Sequence, residues 1–188
     1  MQEARDTGRT WQETGYVAST AHRDMTVNLH HSQPCKEDRV VRLFTDGGCQ
    51  ERHYGARAGY GVFWDRGQMH GPLPGMLQTA QRAEVMAVLK GLEAVQQDLI
   101  VVSDSRYVVD TLGKTREEAL KPGAIHRDLW EAIWIHRDRI RGVVWIKAHQ
   151  AREQALSGGW REEDWQGNSY ADQLATAGVN SQRKMQRR

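Results

Sequence analysis

At 188 residues the chain has room for one domain with attached tails, and two full domains would be cramped. Only two cysteines, Cys35 and Cys49, without a Cys-x-x-Cys spacing, give neither a disulfide framework nor a cysteine zinc site, and the longest apolar runs, 99–102 and 143–146, are strand-sized and far short of a bilayer span. The formal net charge of +2 is unevenly spread: bases and acids balance between residues 39 and 178, which excludes the general basic stripe of a strong nonspecific nucleic-acid binder, and only the tail with Arg183, Lys184, Arg187 and Arg188 is uniformly basic.

Residues 1–38 are polar, mixed in charge and without sustained periodicity, and read as a disordered or loosely ordered leader lacking the apolar stretch of a secretory signal. An intracellular setting, cytoplasm or nucleus, is expected, with no membrane. Residues 40–49 begin as a strand whose alternation sets Val41 and Leu43 on one face and Phe44 on the other, and which delivers Asp46 to a turn at Gly47 and Gly48. Residues 58–64 predict a second strand, 65–67 a turn and 68–71 a third strand, together an antiparallel meander. Gly59 and Gly61 resemble the opening of a dinucleotide fingerprint, but they lie inside a strand, lack the third glycine and open no helix, so that reading is rejected.

The spacing of Val85, Val88, Leu89, Leu92 and Val95 predicts a helix over 79–97, with Glu84 at the border of its apolar face and Gly91 allowing close approach to the sheet. Residues 99–103 form a continuous apolar run of the kind found in central parallel strands, ending on Asp104. A short helix over 105–112, a loop of mixed charge over 113–123, a second long helix over 124–141 and a fifth strand over 143–147 follow, the last ending near His149. Residues 150–167, with Gly158 and Gly159, read as a long flexible loop, and a final helix runs from Asn168 as its N-cap through Asp172 to a stop at Gly178. Residues 179–188 are the basic tail. This order predicts an α/β fold, a five-stranded mixed sheet flanked by helices with strands one, four and five parallel.

Ligands of such sheets gather at the carboxyl ends of the parallel strands. Asp46 and Asp104 fall at those ends, Glu84 can lean over the same edge, and Asp172 lies in the first turns of the last helix. Each alone has an ordinary reading: Asp104 as a helix cap, Asp172 as a partner of a helix dipole, Glu84 as a solvated face residue. Together, four crowded carboxylates would repel and raise one another's pKa values, so they imply bound hard cations, Mg2+ being the natural choice. Two such ions about 4 Å apart suit in-line displacement at phosphorus. His149 would then carry a proton or assist product departure.

These residues resemble the type 1 ribonuclease H domains. The likeness covers about residues 39–178 and rests on Thr45-Asp46-Gly47-Gly48, Gly59-Tyr60-Gly61, Arg82-Ala83-Glu84, Val102-Ser103-Asp104-Ser105, Asp128-Leu129-Trp130, Lys147-Ala148-His149 and Asn168-x-x-Ala171-Asp172. It implies a ribonuclease-H-like fold and endonucleolytic cleavage of the RNA strand of RNA/DNA hybrids, leaving a 3'-hydroxyl and a 5'-phosphate. By position, Asp46 would bridge two Mg2+ ions, with Mn2+ an alternative, while Glu84, Asp104 and Asp172 complete the shell and His149 is the catalytic histidine. The backbone at Gly47, Gly48 and Cys49 would read ribose 2'-hydroxyls. Thr79 would hold a DNA-strand phosphate and Gln81 touch base edges, and Arg106, where Gln is frequent, and Asn168 complete the implied nucleic-acid contacts.

The chain departs from many cellular members in the short segment 112–125, which replaces a basic protrusion and in which Lys114, Arg116 and Lys121 are nearly balanced by Glu117 and Glu118. A reduced protrusion is typical of retroelement-encoded versions, so the implied partners are an RNA/DNA hybrid and an attached or associated reverse transcriptase, the domain itself being monomeric. The alternative reading is a noncatalytic ribonuclease-H-like scaffold module of a reverse-transcriptase polyprotein, which has no reason to keep a repulsive carboxylate cluster. A transposase or integrase on the same sheet ranks last, because it needs acidic residues at a different spacing.

Overall fold

Alternating apolar residues place the first strand, β1 (Val41–Gln50), at the middle of a five-stranded sheet in the computed structural model, which describes residues 40–51, 53 and 55–185. β2 (Arg57–Trp64) lies antiparallel beside it and pairs in turn with β3 (Gly67–Pro72). On the other side β1 pairs in parallel with β4 (Leu99–Ser103), and β4 with β5 (Ile140–Trp145), giving the order β3-β2-β1-β4-β5. The expected mixed sheet with strands one, four and five parallel is thus what forms. The leader expected over 1–38 and the last three residues of the tail lie outside the described residues.

Both faces of the sheet are covered, and the period of two along its strands says by what. Leu43, Val101 and Val143 enter one core with the apolar face of α1 (Ala80–Ala94), where Val85, Val88, Leu89 and Leu92 are all buried. Phe44, Val102 and Val144, one position along, enter a second cluster with Ala171 of α6 (Glu162–Met185). Thr79 caps α1, its hydroxyl accepting from the Arg82 N–H at 3.1 Å. Gly91 behaves as expected: a Cβ there would meet the Leu43 Cδ2 at 2.5 Å. Arg82 pairs with Asp128 at the start of α4 (Arg127–Trp134), tying α1 to α4.

Several boundaries differ from those the sequence predicts. The long helix expected over 124–141 is only α4, followed by a 3-10 turn at Arg137–Arg139, and Ile140 already opens β5 opposite Leu99. His126 stands in the left-handed region at φ 56°, which prevents the helix from starting earlier. The segment 113–123 contains a short helix, α3 (Arg116–Ala119), closed by a capping box between Thr115 and Glu118. The loop expected over 150–167 is instead α5 (Arg152–Ser157), ended by Gly158 and Gly159, and the opening turns of α6. An Arg152–Glu162 ion pair at 2.7 Å joins the two helices. α6 therefore starts six residues before Asn168 and passes through Gly178, where a Cβ would meet the Gly71 carbonyl at 2.5 Å. Gly178 is a point of helix-to-sheet contact, not a stop. Among the described residues no helix is long and apolar enough to cross a membrane.

Candidate active site

Thr45 lies opposite Ser103 in the parallel pairing, so the residues that follow, Asp46 and Asp104, emerge side by side at the carboxyl edge. β1 does not turn after Asp46, as the sequence suggests, but runs on through Gly47 and Gly48 paired with Tyr60 and Gly59. The glycines serve close approach. A Cβ on Gly47 would meet the Glu84 backbone nitrogen at 2.1 Å, so its absence lets α1 settle with Glu84 against β1. Gly61, directly opposite Asp46 in β2, does the same for α6: a Cβ there would meet the Ala171 carbonyl and the Ala175 nitrogen, each at 2.3 Å. Asp172, next to Ala171, is thereby brought to the same edge. Asp46 is flanked by one glycine that seats Glu84 and another that seats Asp172.

The electrostatics follow from this crowding. Burial, then the neighbouring Asp104, push the Asp46 carboxyl up to about 7; Asp172 and Glu84 add to the rise, and the Gly47 N–H, donating to its Oδ1 at 2.8 Å, opposes it. Burial also raises Glu84, with Asp104 adding to it, against a hydrogen bond from the Ser105 hydroxyl. Asp104 is raised by burial, while a hydrogen bond from the Asn168 side chain and the charge of nearby His149 pull it down. The four expected carboxylates therefore act on one another through one edge. Among the described residues no three His, Cys, Asp or Glu side chains close into a ready-made metal cage. The donor chemistry nevertheless fits a hard divalent cation: oxygen donors only, mutually repulsive, with a buried acceptor, the Asn168 Oδ1, left without a partner beside them.

His149 is exposed, at φ 52° in the turn after β5, and shares a cleft with Asp104, Asn168 and Asp172. The residues expected to touch nucleic acid divide. Thr79, Gln81 and Arg106 are exposed or half-exposed, with the Arg106 guanidinium 3.6 Å above the Trp145 ring. Gly47 is buried, and the Cys49 thiol, pushed up by burial, faces the Gln78 carbonyl at 3.5 Å. Asn168 points inward to Asp104. Sequence reasoning assigned no role to Ser105, which caps α2 (Arg106–Leu112) while holding Glu84, or to Trp145, whose Nε1 donates to the Asp104 carbonyl at 3.0 Å. A serine just before a helix signals the cap, but its tie to Glu84 depends on how α1 and α2 meet.

A mixed sheet with carboxylates gathered at the edge of its parallel strands defines an α/β domain with an acidic edge. The RNase H family model matches residues 38–180. Over 131 residues the chain is 33% identical to a Ribonuclease H of Syntrophus aciditrophicus, covering 59% of this chain and 71% of that protein. Over 128 residues it is 30% identical to one of Novosphingobium aromaticivorans, covering 61% and 87%. A foamy viral protease-reverse transcriptase, solved in complex with dsDNA, shares the fold at a TM-score of 0.55 and 22% identity, over 80% of this chain and 99% of that one. The chain belongs to the RNase H family of ribonucleases, in which dependence on divalent metal ions is general.

Proposed function

We propose that the protein hydrolyses the RNA strand of RNA/DNA hybrids with two divalent cations, Mg2+ first among them, held by Asp46, Glu84, Asp104 and Asp172. The observation that carries the reading is the convergence of four acids at one edge, Asp46 beside Asp104 on neighbouring parallel strands with Glu84 and Asp172 seated against them across Gly47 and Gly61. Bound there, the cations supply an activated water and stabilisation of the leaving oxygen. The chain's own residues do the rest. Gly47 and Gly61 fix the spacing of the acids by seating α1 and α6, and Ser105 holds Glu84 in place. Water adds to phosphorus, the bond to the 3'-oxygen breaks, and that oxygen takes up a proton, leaving a 3'-hydroxyl and a 5'-phosphate. His149, exposed on a turn beside Asp104, is the group that carries a proton or eases product departure.

Thr79, Gln81 and Arg106 are the side chains that meet the duplex, with the β1 backbone at Gly48 and Cys49 reading 2'-hydroxyls, by which RNA is told from DNA. The segment between α2 and α4 holds only the four-residue α3 and offers no basic arm, so hybrid affinity is low unless an attached or associated reverse transcriptase helps. The test is end-group analysis of hybrid digested with Mg2+. Products with 5'-phosphates, lost on chelation and in Asp46→Asn, are expected. Products ending in 2',3'-cyclic or 3'-phosphate, or cleavage that survives chelation, would overturn the reading.

A further inference from the structure

Asn168 sits well inside α6, a position for which asparagine has poor intrinsic preference, yet it is only 8% exposed. It precedes Asp172 by one helical turn, so both side chains lie on the face of α6 that lines the cleft with Asp104. A carboxylate only accepts hydrogen bonds, so the end of the Asn168 amide bonded to Asp104 is its NH2. That leaves Oδ1 as the other end, buried and without a hydrogen-bond partner. In the same cleft the Gln150 Oε1 is also buried and unpartnered. The Trp165 Nε1 at this wall is already used, donating to the Gln150 backbone carbonyl at 2.9 Å. The cleft thus brings together two carboxylates and two orphaned acceptors, and orphaned buried acceptors are costly.

Lys147 and His149 also line the cleft but are exposed at its rim, whereas the unpartnered atoms buried within it are acceptors, and these are matched by a guest that is cationic and only donates. A hydrated divalent cation is such a guest, since its waters present hydrogens outward. We infer that Asn168 is a positioning residue for cation uptake, its NH2 fixing Asp104 and its Oδ1, with the Gln150 Oε1, accepting from the waters of the bound ion. This role differs from the nucleic-acid contact that the family resemblance implies for Asn168. The inference rests on the metal-dependent reading above.

The test uses the whole chain and Mn2+ alone, with binding read by water-proton relaxation and no substrate present. Asn168→Ala should weaken Mn2+ binding roughly ten- to a hundredfold, as loss of an outer partner does, with hybrid affinity in chelator unchanged. Gln150→Met, which removes no partner of Asp104, should weaken it severalfold and carries the test should Asn168→Ala fold poorly. Folded variants with wild-type Mn2+ affinity would overturn the inference, as would an Asn168→Ala that loses hybrid affinity in chelator and keeps Mn2+. If wild type binds Mn2+ and cuts hybrid while both variants bind as wild type, this inference alone fails. If wild type binds no Mn2+, the proposed function fails with it.

Discussion

Replacing Asp46 with asparagine separates the cost of assembling the carboxylate edge from its use. The variant keeps a side-chain oxygen for the Gly47 N–H and removes the charge. In metal-free protein the Asp46 carboxyl is raised from 3.8 to about 7, so between those values the folded state holds a proton that the unfolded state has released. Its stabilising contribution is complete below about pH 4 and is lost as the pH rises through about 7. At about 1.4 kcal/mol for each pH unit, the ceiling is about 4 kcal/mol, and relaxation of the partly open edge brings the expectation to about 2–4 kcal/mol. Urea unfolding in EDTA, followed by tryptophan fluorescence, reads this directly. Asp46→Asn should match wild type near pH 4 and exceed it by about 2–4 kcal/mol at pH 8, with Mg2+ then restoring stability to wild type only. Parallel stability curves for the two proteins would refute the claim that the edge is crowded and desolvated.

Gly47→Ala should destabilise the fold by about 3 kcal/mol, seen as a lower melting temperature, because its Cβ would collide with the backbone of α1, which cannot swing aside. Ser105→Ala removes both the cap of α2 and the hydrogen bond to Glu84, at a cost of about 1–2 kcal/mol in chemical unfolding and a fall in hybrid cleavage. His149→Ala should leave stability and hybrid affinity unchanged and slow single-turnover cleavage roughly a hundredfold, far less than the loss caused by Asp46→Asn.

The sheet and α1 were legible because their patterns are strong. Leu43 and Phe44 alternate between two covered faces, and Val85, Val88, Leu89 and Leu92 repeat at helical spacing. The boundary between α4 and β5 was not, since Ile140 falls in helical phase with Leu129 and Ile133 and no glycine or proline intervenes; what decides it is pairing with Leu99. α6 carried an available signal in Glu162, Glu163 and Asp164, which suit the positive end of a helix, but Asn168 imitates an N-cap. Gly178 imitates a stop for the same reason that Gly47 imitates a turn: a glycine required for close approach looks no different in sequence from one required for its backbone freedom. Asp46 and Asp104 could be read from the strand ends, and Glu84 and Asp172 from the helices expected to reach the same edge. The inward aim of Asn168 and the Ser105–Glu84 tie depend on how helices are seated on the sheet, which local sequence does not encode.

The most direct test of the account is cleavage of a labelled RNA/DNA hybrid with Mg2+, beside RNA/RNA and DNA/DNA duplexes of the same sequence, by wild type and Asp46→Asn at low salt. The account predicts that only the RNA strand of the hybrid is cut, and only by wild type. Cleavage of all three duplexes, or hybrid cleavage that survives in Asp46→Asn, would contradict it.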